Sequence, residues 1–318
     1  MHRRSLVRGI VSGAVLGPLA GSVALCARGL AQAPDPARSN APGAMGQSSR
    51  TFLTSDGVRL RVLERKPPGT NGLSPTIVLV PGWCMPATIW QAQLAAFGSR
   101  WRTLALDPRG QGESEIPKTG YTADRRADDI HDLVRDLDRV VLVGWSLGVL
   151  DCLHYVFRHG SARLTGLALV DNSIGEPPAP KPSNFLAKLR KDRKGVLAEF
   201  VRGMFAHPPS QAQLDALQEE MLRMPLDASI SLLSYPIPRE HWRDIVHGFD
   251  LPLAYIVTPR FREQTQHLLE AKPSSKVEVF EDAGHALFVD DAQRFNQVMI
   301  DWISDISQRT APLERGAN

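Results

Sequence analysis

Gly144-Trp145-Ser146-Leu147-Gly148 follows directly on the apolar run Val140-Val141-Leu142-Val143, and Leu147, Leu150, Leu153 and Val156 continue from it at helical spacing. The run reads as a buried strand and the spaced apolar residues as a helix, so the chain turns sharply between them with a serine at the apex. Strand and helix pass so closely in such a turn that a side chain larger than glycine at either flank would clash. The turn lifts the Ser146 hydroxyl above the sheet. It also leaves the backbone N–H of Leu147 at a helix N-terminus, where developing negative charge is stabilised.

Three further segments occur in a matching order. Thr76-Ile77-Val78-Leu79-Val80 reads as a strand and runs into Pro81-Gly82-Trp83-Cys84. Thr103-Leu104-Ala105-Leu106 runs into Asp107-Pro108-Arg109-Gly110-Gln111-Gly112-Glu113-Ser114. Far downstream lies Asp282-Ala283-Gly284-His285-Ala286-Leu287-Phe288. With these residues the chain resembles the α/β-hydrolase family over roughly residues 50–308. The turn, the D-x-R-G-x-G-x-S segment and G-H-A-L-F are jointly specific for that fold and much less so for a substrate.

The order of elements agrees. Arg50–Leu53 and Val58–Glu64 predict an antiparallel hairpin around Ser55-Asp56-Gly57. Thr88–Phe97 predicts a helix, and Ala127, Ile130, Leu133, Val134 and Leu137 form one apolar helix face. Leu167–Val170, Pro252–Val257 and Val277–Phe280 predict further strands. Alternating strands and helices imply an α/β fold, a mostly parallel sheet with helices on both faces. Sites in such sheets lie at the carboxyl ends of strands, where Ser146 and His285 both fall. Residues 174–248 break the alternation with apolar residues at helical spacing (Leu197, Phe200, Val201, Met204, Phe205; then Leu214, Leu217, Met221, Leu222) and predict a helical cap inserted between core segments 50–173 and 249–308.

A serine hydroxyl needs a base to take its proton. Of nine histidines, His285 alone sits in a Gly-His loop after a late strand and before a helix, and it is the expected base. The resemblance implies an oxyanion hole built from the backbone N–H groups of Leu147 and Trp83, with Pro81-Gly82 standing where the family often has His-Gly. It also implies an acid after the strand at 252–257. That loop, Thr258-Pro259-Arg260-Phe261-Arg262-Glu263-Gln264, holds no Asp. Some members place the acid one strand earlier, where Asp171 follows Val170 and lies 25 residues after Ser146. Asp171 is therefore the expected acid and Glu263 the alternative, while Asp107 reads as structural.

The expected function is serine hydrolysis of carboxylic esters of small molecules, with no metal and no cofactor. Ser rather than Asp at the apex argues against the dehalogenase and epoxide hydrolase chemistries of the family. Lactonase, perhydrolase and carbon–carbon hydrolase activities stay open, as does a non-catalytic binding protein on the same scaffold.

At 318 residues the chain suits one large domain with an insertion. Its formal charge of +3 misleads. Residues 1–33 hold Arg3, Arg4, Arg8 and Arg28 and no acid, and without those four arginines 33 basic residues face 34 acidic ones. A near-neutral body gives no reason to expect a nucleic-acid partner. Arg3-Arg4, a weakly apolar Gly-containing stretch from Ile10 to Leu25 and small residues near 29–33 predict a twin-arginine signal peptide over residues 1–33, with export to the periplasm or beyond and no membrane span after cleavage. Residues 34–49, rich in Pro, Ala, Gly and Ser, read as a linker. Cys84 and Cys152 remain in the mature part, either as buried thiols or as a disulfide in an oxidising compartment.

Overall fold

The structure is a computed structural model that describes residues 46–69, 74–234 and 236–309. Residues 1–33, expected to be a signal peptide, and most of the expected linker lie outside the described residues. Strands β1 (Gln47–Leu53) and β2 (Arg59–Arg65) form the hairpin, and β1 takes up the last three residues read as linker. The remaining strands are β3 (Thr76–Val80), β4 (Arg102–Leu106), β5 (Val140–Trp145), β6 (Leu164–Val170), β7 (Leu253–Val257) and β8 (Lys276–Val279). The helices are α1 (Gln91–Phe97), α2 (Ala123–Val134), α3 (Leu147–His159), α4 (Phe185–Lys191), α5 (Arg193–Gly203), α6 (Gln211–Arg223), α7 (Leu226–Ser231), α8 (Arg239–His247), α9 (Arg262–Ala271), α10 (Leu287–Asp290) and α11 (Ala292–Arg309).

The eight strands among the described residues form one sheet in the order β1-β2-β4-β3-β5-β6-β7-β8. The hairpin pairs antiparallel and β2 meets β4 antiparallel, while β4 through β8 run parallel. The central strands β3, β5 and β7 are buried along their whole length, which explains their unbroken apolar sequence. Alternate side chains serve opposite faces. Ile77, Leu79, Val141, Val143 and Trp145 pack with α1, α11 and the segment over the strand ends. Val78, Val80, Val140 and Leu142 pack with α2, α3 and α8.

Residues 174–248 hold helices α4 through α8, with α4 through α7 contributing Leu189, Leu197, Val201, Met221 and Ile230 to the first core. The last helix of that stretch behaves differently. Helix α8 packs on α3 and puts Trp242 and Val246 into the opposite core, so it covers the sheet like α2 rather than roofing the strand ends. The predicted helix at Thr88–Phe97 is also modified: its first turn, Ala87–Trp90, is 3-10, and α1 proper starts at Gln91. No helix among the described residues is long and apolar enough to cross a membrane.

Candidate active site

The strand β5 ends and α3 begins with a single residue, Ser146, between them. Its φ of 54° and ψ of −122° are strained for a side chain other than glycine. Its own amide is held by the Val170 carbonyl at 2.9 Å. The flanking glycines are required by contact. A Cβ at Gly144 would sit 2.3 Å from the Gly148 carbonyl oxygen, and one at Gly148 would sit 2.5 Å from the Val80 carbonyl oxygen and 2.7 Å from that of Pro81. Both obstacles are backbone and cannot move aside cheaply. We expect Gly148→Ala to destabilise the fold by about 1–3 kcal/mol, the range for forced overpacking. Urea unfolding measures this, and a midpoint equal to wild type would show that the crossing is slacker than described.

Strand β6 lies beside β5 with Val170 opposite Trp145, so the next residues, Asp171 and Ser146, emerge side by side at the carboxyl edge. His285 arrives from the loop between β8 and α10. Its Nε2 lies 2.8 Å from Ser146 Oγ and its Nδ1 lies 2.7 Å from Asp171 Oδ2. A carboxylate accepts only, so Nδ1 carries the proton and Nε2 is left to accept from the serine. Glu263 is exposed in the first turn of α9, and Asp171 occupies the place at His285.

The loop after β7, which holds no Asp, has another task. Thr258 donates to Asp171 Oδ1 from its backbone N–H at 2.7 Å and from its hydroxyl at 2.8 Å. Asp171 itself has a φ of 46° and is buried, and its amide donates to the Ile256 carbonyl at 2.9 Å. The carboxylate is thus fixed by Thr258, directly after β7, on one oxygen and meets the imidazole with the other. Asn172 adds a bond from Nδ2 to the Ser146 carbonyl at 2.7 Å. None of these partners was legible in the sequence, since Thr and Asn there look like ordinary loop residues.

The His285 loop is tied to the inserted helices. Asp290 accepts from the Gly284 amide at 2.7 Å and from the Ala206 amide at 2.9 Å, and the Ala286 amide donates to the Met204 carbonyl at 2.8 Å. Trp145 Nε1 donates to the His285 carbonyl at 2.8 Å.

Leu147 is the first residue of α3, so its N–H is among the first-turn amides without a partner inside the helix. The Gly82–Trp83 peptide lies against the nucleophile, because a Cβ at Gly82 would stand 2.9 Å from Ser146 Cβ. The Trp83 indole donates to the Ser229 carbonyl at 2.7 Å and meets Phe185 and Phe200 edge-on at 5.6 and 5.5 Å, so it packs against the inserted helices. Cys84 and Cys152 are both free and buried, and burial pushes the Cys84 thiol up to about 12. Asp107 accepts from the amides of Ala87 at 2.5 Å and Glu113 at 2.9 Å and from Arg61 Nε at 2.5 Å, which makes it a support of the turn. Among the described residues no cluster of three metal-ligating side chains occurs.

The chain matches the model of the Alpha/beta hydrolase family over residues 77–298. It is 40% identical over 97 residues to a non-heme chloroperoxidase of Kitasatospora aureofaciens, an alignment covering 30% of this chain and only 35% of that relative. It is 25% identical to the pimeloyl-[acyl-carrier protein] methyl ester esterase of Vibrio atlanticus over 71% of this chain and 93% of the relative. An esterase from Exiguobacterium antarcticum superimposes with a TM-score of 0.70 at 20% identity, over 80% of this chain and 98% of that structure, which shows the shared fold. With 222 of its 318 residues inside the family match, the chain belongs to the alpha/beta hydrolase family.

Proposed function

We propose that the protein is a serine hydrolase of carboxylic esters, acting through an acyl-enzyme. The observation that carries this reading is the continuous relay from Asp171 Oδ2 through His285 to Ser146 Oγ, with both links between 2.7 and 2.8 Å. In the proposed reaction His285 Nε2 takes the Ser146 proton as Oγ attacks the ester carbonyl. The amides of Trp83 and Leu147 receive the oxyanion, where a donor is worth about 3–4 kcal/mol. His285 returns the proton to the leaving alcohol, and the same cycle with water releases the acid. Asp171 holds the imidazole in the orientation and tautomer that the proton transfer needs. We take the substrate to be a small molecule with an apolar acyl group, because Trp83, next to Gly82 and the nucleophile, packs with the apolar rings of Phe185 and Phe200 from the inserted helices. The methyl ester esterase name of a relative matched along 93% of its length agrees with ester chemistry.

A fluorophosphonate probe should label the chain on Ser146 and p-nitrophenyl esters of graded acyl length should be hydrolysed. Intact protein that takes up no probe and cleaves no ester would leave a binding role on the same scaffold as the better reading.

We further propose that the chain is exported folded to the periplasm or beyond, on the strength of Arg3-Arg4 and the segment behind them. Changing both arginines to lysine should retain precursor in the cytoplasm, as read by fractionation and blotting. Undiminished export of that variant would dismiss the twin-arginine route.

A further inference from the structure

Gln111 lies within the D-x-R-G-x-G-x-S segment and is buried to 1% exposure, and its side chain uses both ends on the loop after β3. Nε2 donates to the carbonyls of Gly82 at 3.1 Å and Met85 at 2.9 Å. Oε1 accepts from the Cys84 amide at 3.2 Å and from Arg126 Nη1 at 3.0 Å. The partners decide which end is which, because two carbonyls demand the NH₂ and two donors demand the oxygen. Arg126, buried on α2, is gripped in turn by the buried Asp151 of α3 through Nε at 2.9 Å and through Nη2. The Cys84 φ of 57° shows that the loop between Gly82 and Met85 takes a backbone form that a non-glycine residue seldom adopts unaided.

The Gly82 carbonyl and the Trp83 N–H belong to one peptide unit. That unit is planar and trans, so its oxygen and its hydrogen point in opposite directions. Fixing the oxygen therefore aims the hydrogen. The Gly82 oxygen accepts twice, from Gln111 Nε2 at 3.1 Å and from the Met85 amide at 3.2 Å. Acceptance at the oxygen also polarises the unit and strengthens the N–H as a donor. We infer that Gln111 is a positioning residue for the proposed reaction, orienting and polarising the Trp83 amide toward the oxyanion, with the Arg126–Asp151 pair holding Gln111 in place. The inference rests on the serine-hydrolase reading and assigns this buried network a part in transition-state stabilisation beyond support of the loop.

Gln111→Glu keeps the shape but replaces the NH₂, with its two donor hydrogens, by an oxygen facing the Gly82 and Met85 carbonyls. Gln111→Met keeps the length and loses every polar contact, without adding a charge. Each variant should titrate to the same stoichiometry as wild type with a fluorophosphonate. Per titrated site, kcat should fall roughly 30-fold, short of the ~10²–10³ that loss of a whole oxyanion donor costs. KM should stay within about threefold, because the contact strengthens only as charge develops. A trifluoromethyl ketone, which adds the serine and mimics the oxyanion, should bind about 30-fold more weakly, in step with kcat. A merely structural role would lower the titratable fraction and leave kcat per site alone, and that result in either variant overturns the inference. So does a loss confined to KM. Wild-type protein that hydrolyses no ester overturns the serine-hydrolase reading itself, an outcome visible before any variant is made. One readout needs only the wild-type chain: in ¹⁵N-tryptophan-labelled protein the Trp83 backbone amide proton should move downfield when the ketone binds, and an unmoved resonance contradicts the assignment.

Discussion

Replacement of Ser146 by alanine is expected to lower ester turnover by about 10⁶, as removal of the nucleophile does in a triad that works as a unit. In the proposed reaction Oγ is the atom that bonds to the acyl group, and among the described residues Ser146 is the hydroxyl hydrogen-bonded to His285 Nε2. The fold should tolerate the change. Alanine keeps a Cβ where the serine had one, the amide at this position still reaches the Val170 carbonyl, and the flanking glycine contacts are untouched. Steady-state kinetics with a p-nitrophenyl ester, alongside probe labelling and a thermal melt, read all three points. Activity within about tenfold of wild type, with the fold intact, would mean that another group does the chemistry.

Asp171→Asn should cost about 10⁴ in kcat. The structure supplies the reason. Thr258 donates twice to Asp171 Oδ1, from N at 2.7 Å and from Oγ1 at 2.8 Å, so an asparagine would keep its oxygen there. Its NH₂ would then face His285 Nδ1, which lies 2.7 Å from the present Oδ2. A neutral imidazole meeting a donor at Nδ1 must carry its proton on Nε2, and such a nitrogen cannot take the serine proton. Glu263→Gln, by contrast, alters an exposed residue of α9 and should change kcat by less than about twofold. The pair is a direct comparison: a larger loss from the Glu263 change than from the Asp171 change would return the acid to the loop after β7.

How far the site was legible follows from what each signal depends on. Ser146 and His285 announce themselves locally, the one by a strand-turn-helix pattern with glycine on both sides and the other by its Gly-His loop beside a late strand. Asp171 was legible with less force, because the positional argument required β6 to neighbour β5, and the Trp145–Val170 pairing supplies that neighbour. The competing Glu263 had the expected place in the chain but not in space. Gln111, Arg126 and Asp151 gave no signal. Each is separated from its partners by 15 to 29 residues, and a buried amide or ion pair looks in sequence like any polar residue on a helix or turn.

The helical segment over the site divides similarly. Its spacing of apolar residues marked α5 and α6, but α4 and α7 are six or seven residues long and too short to show a period. Helix α8 is amphipathic like its neighbours, and only its partner distinguishes it: Trp242 and Val246 bury against α3 rather than over the strand ends. Periodicity states that a face is apolar and is silent on which surface will cover it.

The sequence by itself determined the α/β order of elements, the alternation that splits the core across the two faces of one sheet, the serine at the β5–α3 turn and the histidine near the chain's end, since each is written in contiguous residues and in the periods of strand and helix. Tertiary structure decided between the two carboxylates the sequence offered His285, and it alone decided which residue after β7 steadies Asp171, how the loop after β3 is clamped, and that both thiols remain free and buried. The physical reason is common to all four. They are hydrogen bonds and burials between residues brought together by strand order and by helices crossing the sheet, and no local pattern encodes a distance between segments that meet only in the folded chain.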